Sequence, residues 1–236
     1  LQNYRMLFSQ STFWKAIGNT ILMAVMGLLT IPVGFLLAVL VNSLGRSRLQ
    51  EFFRVGFYLP NIITGVSVYL IFRVVLMTDG GLLNNVLSAI TGRQVSIGWL
   101  ADPKFARWGV TIIWVWMNAG YSMLMNLASL QAIPTDLYEA ASIDGATSTQ
   151  QLFRITLPLL RPTTELVVLL QLIACFKVFG QIQLITGGGP AGSTKPLIQY
   201  IYETAFSKNN LGYAAAMSYV LFGILLVLSL AQLIMQ

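Results

Sequence analysis

The stretch that decides the fold reads IGNTILMAVMGLLTIPVGFLLAVLV from Ile17 to Val41. It carries no charge, and the nearest charged residues on either side are Lys15 and Arg46. About 20 apolar residues in a helix cross a bilayer, because the hydrocarbon is about 30 Å thick and a helix rises about 1.5 Å per residue. The stretch therefore predicts a transmembrane helix. Pro32 is expected to bend this helix, since the proline ring removes a backbone donor.

Four further stretches share this length and apolar character. They run from about Val55 to Leu76, from Trp108 to Leu130, from Pro162 to Ile185 and from Tyr213 to Met235. Every backbone amide inside lipid needs a partner, so the linking segments are expected at the membrane surfaces or buried in protein. The sequence therefore predicts an all-α, polytopic transmembrane bundle with five spans, forming a single domain over residues 1–236.

Composition independently indicates a bilayer as the solvent. Of the 236 residues 56% are hydrophobic and 9% are charged, and the mean hydropathy is +0.73. The net charge of +6 does not indicate nucleic-acid binding, because the basic residues are scattered singly along the chain. The chain has no His and only one cysteine, Cys175. This composition excludes an internal disulfide, the usual His or Cys metal sites and Ser-His or Cys-His catalysis.

The loop between the third and fourth predicted spans carries the most specific pattern. It covers about residues 131–161 and reads IPTDLYEAASIDGAT from Ile133 to Thr147 and STQQLFRITLP from Ser148 to Pro158. Thr135 is expected to cap a first short helix, and Gly145 to end it in a left-handed turn. Ser148 and Gln151 form a capping-box pattern for a second helix, which Pro158 is expected to end.

The first of these helices has the chemistry of a ligand for a groove in another protein. Ala140 and Ala141 are small enough for another backbone to approach closely. The anions and apolar side chains that flank them are Glu139, Asp144, Leu137 and Ile143. Such a helix binds by laying its apolar face into a hydrophobic groove. The alternative interpretation is an ordinary surface loop whose caps only hold it together.

The order of residues in this loop resembles the EAA loop of binding-protein-dependent ABC-importer permeases. The residues that carry the resemblance are Glu139, Ala140, Ala141, Gly145, Ile155, Leu157 and Pro158, and those shared with the carbohydrate-importing branch are Asp144, Ala146 and Phe153. In that family the loop is the cytoplasmic coupling helix, seated in a cleft of the ATPase, and we call residues 131–161 the coupling loop. The resemblance implies ATPase docking through Glu139, Ala140, Ala141, Ile143, Asp144, Gly145, Phe153 and Pro158.

Other segments extend the resemblance over most of the chain. They are WLADP from Trp99 to Pro103, Trp116, LASLQAIP from Leu127 to Pro134, and TGGGP from Thr186 to Pro190 followed by Ser193 and Thr194. They are similar to the maltose- and glycerol-phosphate-type first permeases of the carbohydrate branch. Those permeases usually carry one or more spans ahead of a five-helix core, so the N-terminus of this chain is expected to be trimmed.

The resemblance also implies partners and a location. The partners are a second permease subunit, two ATPase subunits that bind ATP and Mg, and an extracytoplasmic solute-binding protein. The chain itself is expected to bind no cofactor and to catalyse no reaction, as a multi-pass protein of the cytoplasmic (inner) membrane. ATP binding would close the ATPases, draw the two coupling helices together and rock the membrane helices from inward-open to outward-open.

A glycine-rich segment opens the loop of about residues 186–212 on the other side of the predicted bundle. Gly187 to Thr194 approaches a phosphate-binding pattern, but Ser193 replaces the essential lysine and a predicted span, not a strand, precedes it. We therefore expect no nucleotide to bind there. The residues expected to form a sharp outer turn, against the gate or the binding protein, are Gly187, Gly188, Gly189 and Pro190.

Polar and aromatic residues recur every four positions on the third predicted span. They are Trp114, Asn118, Ser122 and Asn126, with Tyr121 beside them. This spacing puts them on one helical face. Aromatic rings cover the apolar surface of a sugar, and amides and hydroxyls replace water around its hydroxyl groups. The face is therefore a candidate solute path. The alternative is ordinary packing, because polar and small residues hold membrane helices together.

The fourth predicted span has a second candidate face. Gln171, Cys175 and Val178 share it, with Lys177 and Gln181 adjacent. The resemblance implies solute contacts on the helices that flank the coupling loop, which favours both faces. Lys177 is either a functional intramembrane charge or a side chain that snorkels outward from near the end of its span.

The positive charges do not settle the orientation of the chain. The predicted inner and outer loops carry equal numbers of Lys and Arg. Arg5 and Lys15 add to the outer side, which is opposite to the orientation that the coupling loop implies. The orientation therefore rests on the coupling loop.

The residues alone leave other functional classes open. A secondary transporter or channel would use the polar faces and broken helices without ATP. An intramembrane enzyme has little support, because its nearest candidate pair, Glu165 and Lys177, would lie roughly 18 Å apart along a helix. The resemblance favours a permease for a carbohydrate or related polyol.

Overall fold

The computed structural model of the chain describes residues 1–45 and 47–235. All regular secondary structure in these residues is helical. The α-helices are α1 (Gln2–Ser9), α2 (Ser11–Gly27), α3 (Thr30–Ser43), α4 (Arg48–Ile62), α5 (Gly65–Val75), α6 (Leu82–Thr91), α7 (Pro103–Gln131), α8 (Thr135–Ile143), α9 (Ser148–Gln151), α10 (Leu157–Phe176), α11 (Gly180–Ile185), α12 (Leu197–Tyr202) and α13 (Leu211–Met235). A π-helical turn, Leu152–Thr156, leads into α10, and another, Glu203–Ser207, follows α12. The prediction of an all-α fold is confirmed.

The helices form two compact units, each assembled from separate stretches of the chain. Unit one comprises Leu1–Gly27, Ile63–Trp114 and Leu172–Met235, and unit two comprises Leu28–Ile62 and Val115–Gln171. The long helices α7 and α10 contribute residues to both units. The prediction that residues 1–236 act as a single permease domain stays a prediction.

Unit one has a core formed by the two ends of the chain. Leu7 of α1 and Phe13 of α2 are fully buried, and they cluster with Leu197 of α12 and Met217 of α13. Helix α1 packs against α13, and α12 packs against both α2 and α13. Elsewhere in this unit α11 packs against α5. The N-terminal helices are therefore held in place by the C-terminal ones.

Unit two depends on close contacts between helix backbones. One cluster of buried hydrophobic residues in this unit consists of Ala38, Val41, Met123, Leu127, Leu130 and Leu160. A Cβ atom added to Gly34 would lie 2.4 Å from the Cβ of Ser122, and one added to Gly120 would lie 2.1 Å from the carbonyl oxygen of Phe57. Small residues at such contacts are typical of membrane bundles, in which close packing replaces the hydrophobic effect between helices.

Helices occupy all five segments that the sequence predicts to cross the membrane. In the described residues three helical segments are long and apolar enough to do so, namely Ser11–Ser43, Ser148–Phe176 and Leu211–Gln232. The broken pair α4 and α5 makes a fourth if it counts as one span. Helix α7 is 29 residues long, about 43 Å at the usual rise. Its tryptophans, asparagines and glycines lower its hydropathy, so the third span stays a prediction.

The first span is interrupted where its proline predicts. Helix α2 ends at Gly27 and α3 begins at Thr30, just ahead of Pro32. The proline ring clashes with the carbonyl group four residues earlier, which here belongs to Leu28. The break therefore has a local cause that the sequence already contains.

The fourth predicted span, Pro162–Ile185, has the wrong limits. Its helix ends at Phe176, because the amides of Lys177 and Val178 bond only three residues back and the α-helical pattern stops. Pro162 lies inside α10 rather than at its first position. Helix α11 then begins as a separate short element.

The expectation that Pro158 ends a helix is also wrong. The chain passes from α9 through the π-helical turn Leu152–Thr156 directly into α10, and Pro158 is the second residue of α10. A π-helical turn is wider than an α-helical one. Its position directly before the proline makes room for the ring, so the helix continues.

Candidate functional site

Helix α8 is the first element of the coupling loop. Thr135 is its first helical residue and provides no side-chain cap, so the predicted N-terminal cap is wrong. The other end follows the prediction, because Gly145 has a φ of +78°. The amides of Gly145 and Ala146 bond to the carbonyls of Ser142 and Ala141, at 3.1 and 2.9 Å. These two bonds form a Schellman cap, which satisfies carbonyl groups that the helix end leaves open.

The capping box of the second helix lies one residue earlier than the predicted pair. The hydroxyl of Thr147 accepts from the Gln150 amide at 3.3 Å, and the Gln150 side chain accepts from the Thr147 amide at 2.8 Å. Gln151 is therefore free for another role. Its Nε2 donates to the hydroxyl of Ser142 at 2.9 Å and to the carbonyl of Tyr138 at 3.3 Å. Gln151 thus ties the second helix back to α8.

A second tie joins α8 to the π-helical turn that leads into α10. The hydroxyl oxygens of Tyr138 and Thr156 lie 2.9 Å apart. Thr156 is buried and Tyr138 is half-buried, so water competes little for this bond. Together with the bonds of Gln151, this bond connects α8 firmly to the N-terminal end of α10.

The other side of the coupling loop is exposed. Of the predicted docking residues, Glu139, Ala140, Ile143, Asp144, Gly145, Phe153 and Pro158 are exposed, and Ala141 is half-buried. Ile143 is 86% exposed and Phe153 is 63% exposed. The loop is already held by its own hydrogen bonds, so these apolar side chains are not needed to form it. Large apolar side chains left in the open are typical of an interaction surface.

The glycine-rich outer segment forms the sharp turn that the sequence predicts. The four residues of this turn are Gly187, Gly188, Gly189 and Pro190. The φ angles of Gly187 and Gly188 are +60° and +85°, a region that glycine adopts without strain. The hydroxyls of Thr186 and Thr194 close the turn at 2.8 Å. The rest of the predicted loop is not all irregular, because α12 and the second π-helical turn lie within it.

Three side chains of unit one that the sequence analysis did not select hold the segment that directly follows this turn. Lys15, Asn19 and Arg107 donate to backbone carbonyl oxygens of residues 191–195, at 2.7 to 3.0 Å. Arg107 also donates to the side-chain oxygen of Asn19 at 3.2 Å. The only sequence signal is that these polar residues stand at the ends of apolar stretches. Their partners lie more than 80 positions away, so spacing did not reveal them.

The polar face predicted on α7 is partly used for packing within unit two. Ser122 is fully buried against Gly34, and Asn126 donates to the Ser122 carbonyl at 2.8 Å. These contacts favour the packing interpretation for Ser122. Asn118 and Tyr121 are half-buried and stay the stronger solute candidates of this face.

Two buried amide oxygens in unit two have no hydrogen-bond partner among the described residues. They are Oδ1 of Asn126 and Oε1 of Gln171. Both side chains are almost fully buried, at 1% and 3% exposure. A buried acceptor without a donor costs free energy, so a hydroxyl group of a ligand or a water molecule is favoured at each atom.

The candidates of unit one line a small cavity. Cys175 and Val178 form its wall with Trp114 and Gln181. Its volume is about 20 Å³, room for about one water molecule. The Nε2 of Gln181 donates to the Val110 carbonyl at 2.7 Å, whereas its Oε1 has no partner among the described residues. In this conformation the cavity is too small for a sugar.

Lys177 lies in the break between α10 and α11, and its side chain is exposed. It makes no hydrogen bond or ion pair through its side chain within the part of the chain that the structure describes. Its position outside a helix favours the snorkelling interpretation over that of a buried functional charge.

A family profile described as "Binding-protein-dependent transport system inner membrane component" matches residues 30–236. The chain belongs to this family. The permease is 37% identical to the probable ABC transporter permease protein YurN of Bacillus subtilis (strain 168), over 99% of the chain and 80% of YurN. It is 33% identical to the probable starch degradation products transport system permease protein AmyD of Thermoanaerobacterium thermosulfurigenes, over 98% of the chain and 78% of AmyD.

A solved structure gives the same result. The permease is similar to a chain in the crystal structure of a bacterial ABC transporter involved in the import of the acidic polysaccharide alginate. The TM-score is 0.89 at 28% identity, and the match covers 100% of the permease and 82% of that chain. The permease is thus an inner-membrane subunit of an ATP-driven importer, as the resemblance of its coupling loop implies. The alternative of a secondary transporter or channel is set aside.

Proposed function

We propose that the permease moves a carbohydrate or related polyol across the membrane. A separate ATPase subunit that binds the coupling loop would drive this transport. The observation that supports the coupling role is the exposed apolar face of this loop, with Ile143 at 86% and Phe153 at 63% exposure. The residues proposed to contact the ATPase are Glu139, Ala140, Ala141, Ile143, Asp144, Gly145, Phe153 and Pro158.

Burial of this face in a groove of the ATPase would stabilise the contact. Fully burying an Ile or Phe side chain contributes about 1.5–3 kcal/mol. The small side chains of Ala140 and Ala141 would let the wall of the groove approach the backbone of α8. Glu139 and Asp144 would pair with cations at the rim, which fixes orientation more than affinity.

The two ties inside the loop would carry the motion of the ATPase into the membrane. Tyr138 joins α8 to Thr156, and Gln151 joins the second helix to α8. A displacement of α8 would therefore move the start of α10 with it. ATP and Mg would be bound and ATP hydrolysed in the two ATPase subunits, while this chain would bind no cofactor.

The replacement Tyr138→Phe tests this mechanical link. It removes one hydroxyl and leaves Thr156 with only a 3.4 Å contact to the Gln151 carbonyl. A buried hydrogen bond contributes about 1 kcal/mol, so we expect uptake per ATP hydrolysed to fall about 3- to 10-fold while the ATPase stays bound. The measurement is uptake and ATP hydrolysis in the same proteoliposomes.

Thr156→Val should have the same effect, and the double variant should be no worse than either single one. Tyr219→Phe, at a 68% exposed tyrosine of α13, is the matched control. Unchanged coupling in both single variants would show that this bond transmits no motion.

Carbohydrate as the solute is supported by the polar atoms buried in each unit. In unit two Gln171 offers an unpaired acceptor, and Asn118 and Tyr121 offer an amide and a phenol. In unit one Gln181 offers a second unpaired acceptor beside Trp114. Of the solute-path residues that the sequence predicts, the proposal retains Asn118, Tyr121, Asn126 and Gln171 in unit two and Cys175 and Val178 in unit one. It leaves out Ser122, which packs against Gly34, and Lys177, which lies outside a helix. Two similar proteins agree with this solute class, namely a probable starch degradation products transport system permease and a transporter involved in the import of alginate.

The remaining proposed partners are a second permease subunit and an extracytoplasmic solute-binding protein. The turn at Gly187–Pro190 would lie on the outer side, against the binding protein or the gate. Because Lys15, Asn19 and Arg107 bind the carbonyl groups of residues directly after this turn, the turn would present one fixed shape to its partner.

Co-purification in mild detergent followed by transport assays tests the proposal. We expect an ATPase and a second permease to remain bound, and ATP-driven uptake of an oligosaccharide or polyol once the binding protein is added. The solute panel should include starch fragments, alginate fragments, polyols and amino acids. Loss of all ATPase on purification would contradict the coupling role, and uptake of amino acids alone would contradict the solute class.

Gln171→Ala should raise the KM for the transported solute about 3- to 10-fold, because one hydrogen bond of about 1 kcal/mol is lost. Leu170→Ala, at an exposed position next to it on α10, is the control and should leave the KM unchanged. Equal KM values for the two variants would remove Gln171 from the solute path.

A further inference from the structure

The corner between α1 and α2 has no role in the function proposed above. Helix α1 is a short helix, Gln2–Ser9, and the chain turns at Gln10 into α2, the start of the apolar segment Ser11–Ser43. The corner therefore lies where a span begins.

The inner side of this corner is firmly held in unit one. Leu7 and Phe13 are both 0% exposed. The side-chain oxygen of Gln10 accepts hydrogen bonds from the hydroxyls of Tyr200 and Tyr213, each at 3.1 Å. The direction in which the other side chains of the corner point is thus set by the core and does not depend on a partner.

The outer side of the corner presents aromatic rings. Phe8 is 49% exposed and Trp14 is 53% exposed, and their ring centroids lie 6.0 Å apart. The indole N–H of Trp14 donates to the Phe8 carbonyl at 2.9 Å. Because this donor already has a protein partner, the indole ring gains little from water. An amphipathic ring of this kind favours the membrane–water interface.

The aromatic corner continues into an exposed apolar stripe along α2. Ile21 and Val25 lie seven and eleven positions after Trp14, which puts all three on one face of the helix. Ile21 is 47% exposed and Val25 is 59% exposed. The rings of the corner are therefore the end of a surface that runs along a membrane-crossing segment.

Helix α1 also has a polar face. Gln2, Arg5 and Ser9 are exposed and share one side of the helix, opposite the buried Leu7. The Arg5 guanidinium makes no hydrogen bond or ion pair in residues 1–45 or 47–235. A cation beside interfacial aromatic rings is complementary to an anionic lipid headgroup.

From these contacts we infer that the α1–α2 corner binds the lipid surface. Phe8 and Trp14 lie at the boundary between headgroups and acyl chains, α1 lies in the plane of the membrane, and Arg5 contacts the phosphate of an anionic phospholipid. Lipid is favoured over a protein partner because the rings continue the exposed stripe of a span and the free charge matches a headgroup. The corner would anchor the end of the first span at a fixed depth.

Quenching of Trp14 fluorescence by brominated lipids tests the depth. The permease, with the subunits that co-purify, is placed in nanodiscs whose phosphatidylcholine carries bromine at acyl positions 6,7 or 11,12. Trp14 is one of five tryptophans, so its signal is the difference between the wild type and Trp14→Phe. We expect this difference signal to be quenched more strongly by the shallow bromines than by the deep ones.

Two outcomes would overturn the inference. Quenching of the difference signal by aqueous acrylamide but not by brominated lipid would place the ring in water. Quenching by neither agent would place it under another protein.

A second measurement tests the headgroup. In mixed nanodiscs, brominated phosphatidylglycerol should quench the Trp14 signal about 2- to 5-fold more than the same amount of brominated phosphatidylcholine, because a cation near the surface attracts anionic lipid. Arg5→Gln should remove this preference. Arg93→Gln, at an exposed arginine after α6, is the control and should retain it. Equal quenching by both lipids in the wild type would overturn the role of Arg5.

Discussion

Replacing Gly145 by Asp should abolish ATP-coupled uptake while the permease still inserts into the membrane. Gly145 has a φ of +78° and no atom within 4 Å of the position of an added Cβ. A side chain therefore fits, but it adopts a strained backbone conformation and adds a negative charge to the proposed docking face. A desolvated, unpaired charge at an interface costs several kcal/mol, so we expect uptake to fall by at least about 100-fold. ATPase co-purification and proteoliposome uptake measure the loss.

Two further variants separate the charge from the backbone strain. Asn adopts positive φ more readily than other side chains and matches Asp in shape, so Gly145→Asn should retain much of the uptake. Gly145→Val should lose uptake through strain alone, because a β-branched residue is a genuine outlier at this φ. Near-normal uptake by Gly145→Asp, with the ATPase still bound, would contradict docking at this turn.

Enlarging Gly120 should prevent unit two from packing. A Cβ at this position would lie 2.1 Å from the Phe57 carbonyl oxygen and 2.7 Å from the Cα of Tyr58, and both are backbone atoms that cannot rotate away. Helices α4 and α7 would have to separate. We expect Gly120→Ala to destabilise the permease by about 1–3 kcal/mol, and Gly120→Leu to prevent recovery of folded protein. Yield of monodisperse protein and thermal unfolding in detergent provide the readout.

Gly56→Ala is the matched control for this experiment. Gly56 lies on α4 beside Phe57, yet nothing lies within 4 Å of its added Cβ. Ala has a higher helix propensity than Gly, so this variant should be neutral or slightly stabilising. If Gly120→Ala behaved like Gly56→Ala, the close backbone contact would not exist in the folded protein.

The ties inside the coupling loop change how the motif is interpreted. The sequence motif identifies exposed residues such as Glu139, Ala140 and Ala141, whereas the hydrogen bonds lie on the opposite side, at Tyr138, Gln151 and Thr156. Different residues of this short segment would therefore bind the ATPase and transmit its motion to α10. Variants on the exposed face should lose ATPase binding. Variants on the hydrogen-bonded face should keep the ATPase bound but lose the coupling of ATP hydrolysis to uptake.

Positive charge is distributed evenly between the two predicted sides of the membrane, so it does not orient the chain. The structure gives a reason for this distribution. Several cations on the predicted outer side have hydrogen-bond or ion-pair partners within unit one. Lys15 and Arg107 bind the carbonyl groups of Ala191 and Ser193, and Lys195 forms an ion pair with Glu203 at 2.6 Å. The charge count treats these residues as topological signals, although the fold uses them as hydrogen-bond donors.

The sequence by itself determined the fold class, the positions of the apolar segments and the family. Each of these depends on local properties, namely runs of apolar residues long enough to cross a bilayer and a loop motif read in order. The break before Pro32 and the left-handed turn at Gly145 were also predictable, because a proline ring and a missing Cβ act within a few residues.

Only the tertiary structure decided the limits of the fourth span, the true capping residues and the function of Lys15, Asn19 and Arg107. Pro158 and Pro162 are each compatible with a helix end, and the wide turn before α10 determines that the helix continues. Lys15 finds its acceptor 176 positions away. Contacts of this kind depend on which distant segments pack together, and neither periodicity nor propensity along a single stretch contains that information.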